Sequence, residues 1–124
     1  MSSIDDQPQA ATKAHPPDQA AIPVALRDRI KEAIRRLEPN AEIILYGSRA
    51  RGDAGPDSDW DLLVLLDGAV DAARERAVWH RLYTLELDLE EILCPVVFSR
   101  EDWESSLYRA MPFHRNVDRE GMVL

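Results

Sequence analysis

The chain has a single cysteine, Cys94, among its 124 residues. An internal disulfide is excluded, and such sparing use of thiols agrees with a reducing, cytoplasmic setting. No apolar run approaches the ~20 residues needed to cross a bilayer, so no spanning helix is expected. The N-terminus has no apolar segment between a basic start and a small-residue cleavage site, so secretion is not indicated. Positive charge is scarce too: 15 Lys and Arg stand against 23 Asp and Glu, a formal net charge of −8. Broad, non-specific nucleic-acid binding requires clustered Lys and Arg to meet the phosphates, and is not expected here. The three histidines have no metal-ligand spacing to one another or to Cys94, which argues against zinc. Nor is there an internal repeat.

What is present suits one domain with one modest core, at an ordinary hydrophobic content of 45%. Residues 1–22 are polar, carry Pro8, Pro16 and Pro17, and show no apolar period; they read as a flexible leader ahead of a domain spanning 23–124. From Pro23 the pattern becomes helical, with Leu26, Ile30, Ala33, Ile34 and Leu37 on one stripe and Pro39-Asn40 as the stop. Basic residues on its outer face interleave with Asp28, Glu32 and Glu38, the pattern of a solvated face. Strands are expected over 41–46, 57–66 and 92–98. Between the last two, Val78, Leu82, Leu85, Leu89 and Ile92 form the stripe of a long helix packed on the sheet. Trp79, His80 and Tyr83 on that helix read as core or rim rather than as nucleobase contacts. Ser99 reads as the N-cap of a further helix, with Asp102 in the place of the usual capping-box Glu. A short helical piece and a small edge strand over 121–124 close the chain.

The chemistry is concentrated in Ile43–Leu66, where an apolar run ends in Gly47-Ser48, a polar loop follows, and Asp59-Trp60-Asp61 opens the next apolar run. A residue without Cβ lets backbone N–H groups approach an anion closely, and a serine hydroxyl adds one more hydrogen bond; the pair suits a phosphate. Side chains alternate along a strand, so Asp59 and Asp61 share one face while Trp60, Leu62, Val64 and Leu66 share the other. Two such carboxylates beside a phosphate-cradling turn are what magnesium-dependent phosphoryl or nucleotidyl transfer needs, because magnesium takes one or two carboxylates plus substrate phosphates. Arg49 is open between contact with a triphosphate and pairing with Asp53 or Asp57. The alternation Asp57, Asp59, Asp61 is not a calcium-binding EF-hand loop, since Leu62 and Gly68 stand where Gly and Glu belong. It is not a Walker A loop either, because no Lys-Ser or Lys-Thr follows Gly52.

Two half-motifs in order, G-S-x-A-R-G at 47–52 and S-D-x-D-L at 58–62, make the sequence resemble the minimal nucleotidyltransferases of the DNA polymerase β superfamily. The resemblance extends from about Val24 onward, and the tail P-F-H-R-N-V-D-R-E-G at 112–121 also looks like that of some relatives. It implies an α+β, polymerase β-like nucleotidyltransferase fold, a small mixed sheet with helices packed on one side. It further implies phosphate and nucleotide contacts from Gly47, Ser48, Arg51 and Ser58. Asp59 and Asp61 become the catalytic, metal-binding carboxylates for Mg²⁺, in a site that can take two metals, with a nucleoside triphosphate as substrate. The activity implied is transfer of a nucleoside monophosphate to an acceptor hydroxyl. Related small proteins include antitoxins that modify or bind a HEPN-type ribonuclease, so a protein tyrosine supplied by such a partner is one acceptor.

The sequence departs from the family in one respect. Fully active members use a third carboxylate on a neighbouring strand, and I-L-C-P-V-V-F at 92–98 contains none; Glu90 and Glu91 replace it only if the strand starts early. The alternative is a catalytically impaired module of the same fold that neutralises its partner by binding.

Overall fold

The computed structural model describes residues 22–124. The expected leader lies outside the described residues except at its last position: Ile22 is buried in the core.

Helix α1 (Val24–Leu37) starts after Pro23, whose fixed φ suits a helix entry. Its four-residue spacing turns Leu26, Ile30 and Ile34 inward. Three strands carry the sheet, β1 (Glu42–Tyr46), β2 (Trp60–Leu66) and β3 (Leu93–Ser99), and a two-residue strand, β4 (Met122–Val123), is added at one edge. The order across the sheet is β3-β2-β1-β4. β1 runs antiparallel to both β2 and β4, whereas β2 and β3 are parallel. A parallel pair needs a crossover. Helix α3 (Ala72–Leu89) provides it, capped by the Asp71 side chain, which accepts from Arg74 N–H, and burying Val78, Leu82 and Leu85. Ile92, placed on this stripe by the sequence, falls after the helix has ended and is exposed.

The larger core lies where α1 and α3 cover Trp60, Leu62, Val64 and Leu66 of β2 together with Ile43 and Leu45 of β1. The expected helical layer on one side is therefore the larger of two. Leu63 and Leu65, on the alternate face of β2, belong to a second cluster with Trp103 and Val117. This cluster is built by the helices after the sheet, α4 (Arg100–Glu104), α5 (Ser106–Arg109) and α6 (Pro112–Glu120). The physical reason is visible in β2 itself, Leu62-Leu63-Val64-Leu65-Leu66: an unbroken apolar run with no polar alternation marks a strand covered on both faces. Aromatic edges fill this smaller layer, with Phe113 edge-on to Tyr46 and Trp103, and His114 stacked 4.1 Å from Trp103. The cap read at Ser99 is present, its hydroxyl accepting from Asp102 N–H at 3.0 Å.

Gly121 lets α6 turn into β4. A Cβ there would lie 2.5 Å from the Val117 carbonyl oxygen and 2.8 Å from Ile44 Cγ2. The carbonyl belongs to the helix backbone and cannot give way cheaply. Gly121→Ala should lower stability by about 1–3 kcal/mol, the usual cost of overpacking, as measured by urea denaturation. A variant as stable as the parent would show that α6 and β4 are not held this closely.

Candidate active site

β1 ends at Tyr46 and passes directly into Gly47, whose φ of +79° is a conformation that favours glycine. Helix α2 (Ser48–Arg51) starts at once, Gly47 standing at its N-cap. The first N–H groups of such a turn, those of Ser48 and Arg49, have no acceptor within it. Across the sheet, Tyr46 pairs with Asp61. That register brings the acid against the turn: a Cβ on Gly47 would sit 2.3 Å from Asp61 Oδ2. Glycine is thus required twice, by its backbone angle and by the neighbouring carboxylate.

The two acids differ in setting. β2 begins at Trp60, later than the sequence reading placed it, so Asp59 sits on the loop at the strand's mouth and Asp61 within the strand. Asp59 is exposed and accepts from the Cys94 thiol at 3.3 Å. Asp61 is partly buried, and its carboxyl is held above the usual carboxylate range by desolvation first, then by the negative charge of Asp59, with Arg51 working in the opposite direction. Neighbouring groups respond to the same accumulation of negative charge. The Tyr46 hydroxyl is pushed up to about 12 by burial and by Asp61, Cys94 and Glu120. Burial, then the hydrogen bond to Asp59, pushes the Cys94 thiol up to about 11, so it stays protonated and donates.

This arrangement fits a magnesium ion. Two oxygen ligands stand together, and the charge repulsion between them is of the kind a cation relieves. Among the described residues no group of three or more His, Cys, Asp or Glu side chains is placed to hold a metal by itself. The remainder of a shell must come from substrate phosphates and water, which is how magnesium is commonly held.

The arginines are divided between loop and site. Arg49 pairs with neither Asp53 nor Asp57. Its guanidinium lies 4.1 Å over the Trp60 ring and donates to the carbonyls of Ser58 (2.9 Å) and Pro56 (3.2 Å), locking the loop that delivers Asp59. Ser58 serves that loop as well, its hydroxyl accepting from Gly55 N–H at 2.9 Å while its proton remains available to donate. Arg51 bridges Asp53 at 3.1 Å and Glu120 at 3.3 Å.

Glu120, from the end of α6, was not singled out by its sequence position. Its side chain is 11% exposed and its Oε2 accepts from Gly47 N–H at 2.8 Å. The strand expected to carry a third acid has Cys94 directly opposite Asp61. Neither neighbouring glutamate replaces it: Glu90 caps α3, and Glu91 accepts from the Trp60 indole N–H at 2.8 Å. Trp79 and Tyr83 are exposed beside Leu93 and Pro95, on the face of the sheet away from Asp61.

The family model of the nucleotidyltransferase domain matches residues 27–111. The chain belongs to this nucleotidyltransferase family. Among solved structures, it is similar to a toxin–antitoxin crystallised with AMP-PNP, with a TM-score of 0.56 and 22% identity over 77% of this chain and 69% of that one. A mutant of the toxin–antitoxin MntA-HpeT is similar as well, with a TM-score of 0.55 and 20% identity over the same shares of 77% and 69%. At these identities the likeness establishes a shared fold. Comparison with curated proteins finds no match.

Ionised Asp61 is placed at some cost to stability. A carboxyl whose folded pKa is raised binds protons more tightly in the native state, so its contribution favours folding as pH falls into the carboxylate range and opposes it at neutral pH. Asp61→Asn should therefore raise stability at pH 7 by up to about 1 kcal/mol, the scale of a removed like-charge pair. Magnesium should raise the melting temperature of the parent more than that of the variant. Thermal melts with and without Mg²⁺ check both; a variant destabilised at neutral pH would contradict the assignment of charge.

Proposed function

We propose that the protein binds magnesium and a nucleoside triphosphate and transfers the nucleoside monophosphate to an acceptor hydroxyl. The observation that carries this reading is the contact between Gly47 and Asp61, which joins a phosphate-suited turn to the acid pair within one small site. The Ser48 hydroxyl and the free N–H groups that follow Gly47 would hold phosphate oxygens, and Arg51 would offset their charge. Asp59 and Asp61 would hold the metal, which when bound supplies charge stabilisation along the in-line displacement. The acceptor oxygen forms a bond to the α-phosphorus, the bond to pyrophosphate breaks, and the acceptor proton is lost to solvent or to a nearby base.

Support for a triphosphate comes from the neighbour crystallised with AMP-PNP, and support for a protein partner from both neighbours being toxin–antitoxins. The second neighbour carries Asp-to-Glu changes at two positions separated by one residue, the spacing of Asp59 and Asp61. We therefore place the acceptor on a partner protein, a tyrosine of a HEPN-type ribonuclease being the specific candidate.

Cys94 favours a second reading. Where a further carboxylate would help hold a metal near the acceptor hydroxyl, this chain has a protonated thiol opposite Asp61. A module that binds nucleotide and partner without efficient transfer follows from that substitution.

Incubation with Mg²⁺, α-labelled nucleotides and extract of the source cell separates the two. The first reading predicts label on a protein acceptor, reduced on the order of 10²-fold or more by Asp59→Ala or Asp61→Ala, the scale of losing one charge-stabilising group. Unchanged transfer in both variants would overturn the site. No transfer by the parent, with transfer gained by Cys94→Asp, would support the second reading.

A further inference from the structure

The residues after 111, beyond the matched nucleotidyltransferase region, reach back into the site. β4 adds to β1 through Leu45 opposite Met122 and Ile44 opposite Val123, and Leu124 N–H donates to Ile43 O at 2.9 Å. This docking fixes the end of α6 beside the turn. Toward Gly47 the pairing runs back from Met122, the first paired residue of β4, and two residues earlier the Gly47 N–H is met by the Glu120 carboxylate instead of by backbone.

A carboxylate close to a phosphate-binding turn is an unfavourable choice unless it holds something in place. Here both oxygens are used. Oε2 takes the Gly47 N–H at 2.8 Å, and both oxygens receive Arg51 Nη1 at 3.3 Å. Arg51 Nε is directed to Asp53 at 3.1 Å. Its Nη2 makes no hydrogen bond among the described residues. The guanidinium is thus held along one side with its remaining donors left over. Charge-assisted bonds of this kind are stronger than neutral ones and set orientation as well as energy.

We propose that Glu120 is a positioning residue of the nucleotide site: its carboxylate fixes the Gly47 peptide and the Arg51 guanidinium, so that docking of α6 and β4 sets the geometry of the phosphate turn. The proposal rests on the nucleotide-binding reading above and adds a role for the C-terminal segment. Glu120 acts through Gly47 and Arg51 and does not itself contact nucleotide or metal. Glutamine keeps one acceptor, enough for the Gly47 N–H, but sets an NH2 donor against Arg51, so it restores part of the role and alanine none.

The test uses the full chain and a non-hydrolysable ATP analogue with Mg²⁺, titrated by calorimetry at a temperature where thermal melts show every variant folded. Glu120→Ala should weaken binding on the order of tenfold, the usual scale for a residue that orients a ligand-binding group. Glu120→Gln should fall between the parent and Glu120→Ala, since it keeps an acceptor for Gly47 N–H but loses the ion pair with Arg51. In an Arg51→Ala background the loss from Glu120→Ala should shrink, because the two residues act as a unit. Parent-like binding by Glu120→Ala would overturn the proposal. Equal losses in the alanine and glutamine variants would also overturn it, since the Gly47 hydrogen bond that glutamine keeps would then carry no part of the role. Amide hydrogen exchange in the nucleotide-free protein gives an independent readout: Glu120→Ala should speed exchange at Gly47 through Arg51 without changing global stability. If the parent binds no triphosphate, the nucleotide-binding reading falls, and exchange alone decides: local acceleration supports the positioning role, and unchanged exchange overturns it.

Discussion

The antiparallel pairing of β1 with β2, in the register that sets Tyr46 opposite Asp61, is the constraint on which the rest of the site depends. A one-residue slip would send every side chain of β2 to the other face, taking Leu62, Val64 and Leu66 out of the larger core. The same slip would turn the Asp61 carboxylate into that apolar core at high cost, which protects the register, and the register brings Asp61 Oδ2 so near Gly47 that no side chain fits there. Hydrophobic packing remote from the site thus determines which carboxylate meets the turn. Two further contacts refine the arrangement. Arg49 over Trp60 fixes the loop that ends in Asp59, and Glu120 closes the turn from the opposite side.

The collected charge explains why such a site is poised for a cation. Asp59, Asp61 and Glu120 outnumber Arg51, which is already shared with Asp53. The raised proton affinities of Asp61, Tyr46 and Cys94 come first from burial and then from the negative charge gathered around them. Holding acids in this state gives up some stability of the protein, as functional sites commonly do. The overall charge of −8 runs in the same sense and disfavours an extended nucleic-acid surface.

Much of this was legible in the sequence because its signals are local. Gly47-Ser48 and the Asp59-Trp60-Asp61 triplet each stand out within a few residues, and the four-residue spacing of Leu26, Ile30 and Ile34 fixes α1. The expected α+β fold with a small mixed sheet and the nucleotidyltransferase resemblance both hold. What could not be read were interactions between distant positions. Glu120 and Gly47 are 73 residues apart, and no local pattern joins them. The sequence offers Arg49 the nearby acids Asp53 and Asp57, whereas its partners are an aromatic face and two carbonyls. The second helical layer did leave a trace, the uninterrupted apolar run of β2, whose lack of alternation is the sign of a strand covered twice.

The most direct test of the account is calorimetric titration of the full chain with a non-hydrolysable ATP analogue, in Mg²⁺ and in EDTA, for the parent and for Gly47→Ala. If the turn and the acid pair form one site, the parent binds in Mg²⁺ and binds much more weakly in EDTA. Gly47→Ala, which drives a methyl group into Asp61 and strains the turn, then abolishes the magnesium-dependent part while the chain stays folded. Binding that is equal in Mg²⁺ and EDTA, or that survives Gly47→Ala undiminished, would contradict the account and place any nucleotide elsewhere on the protein.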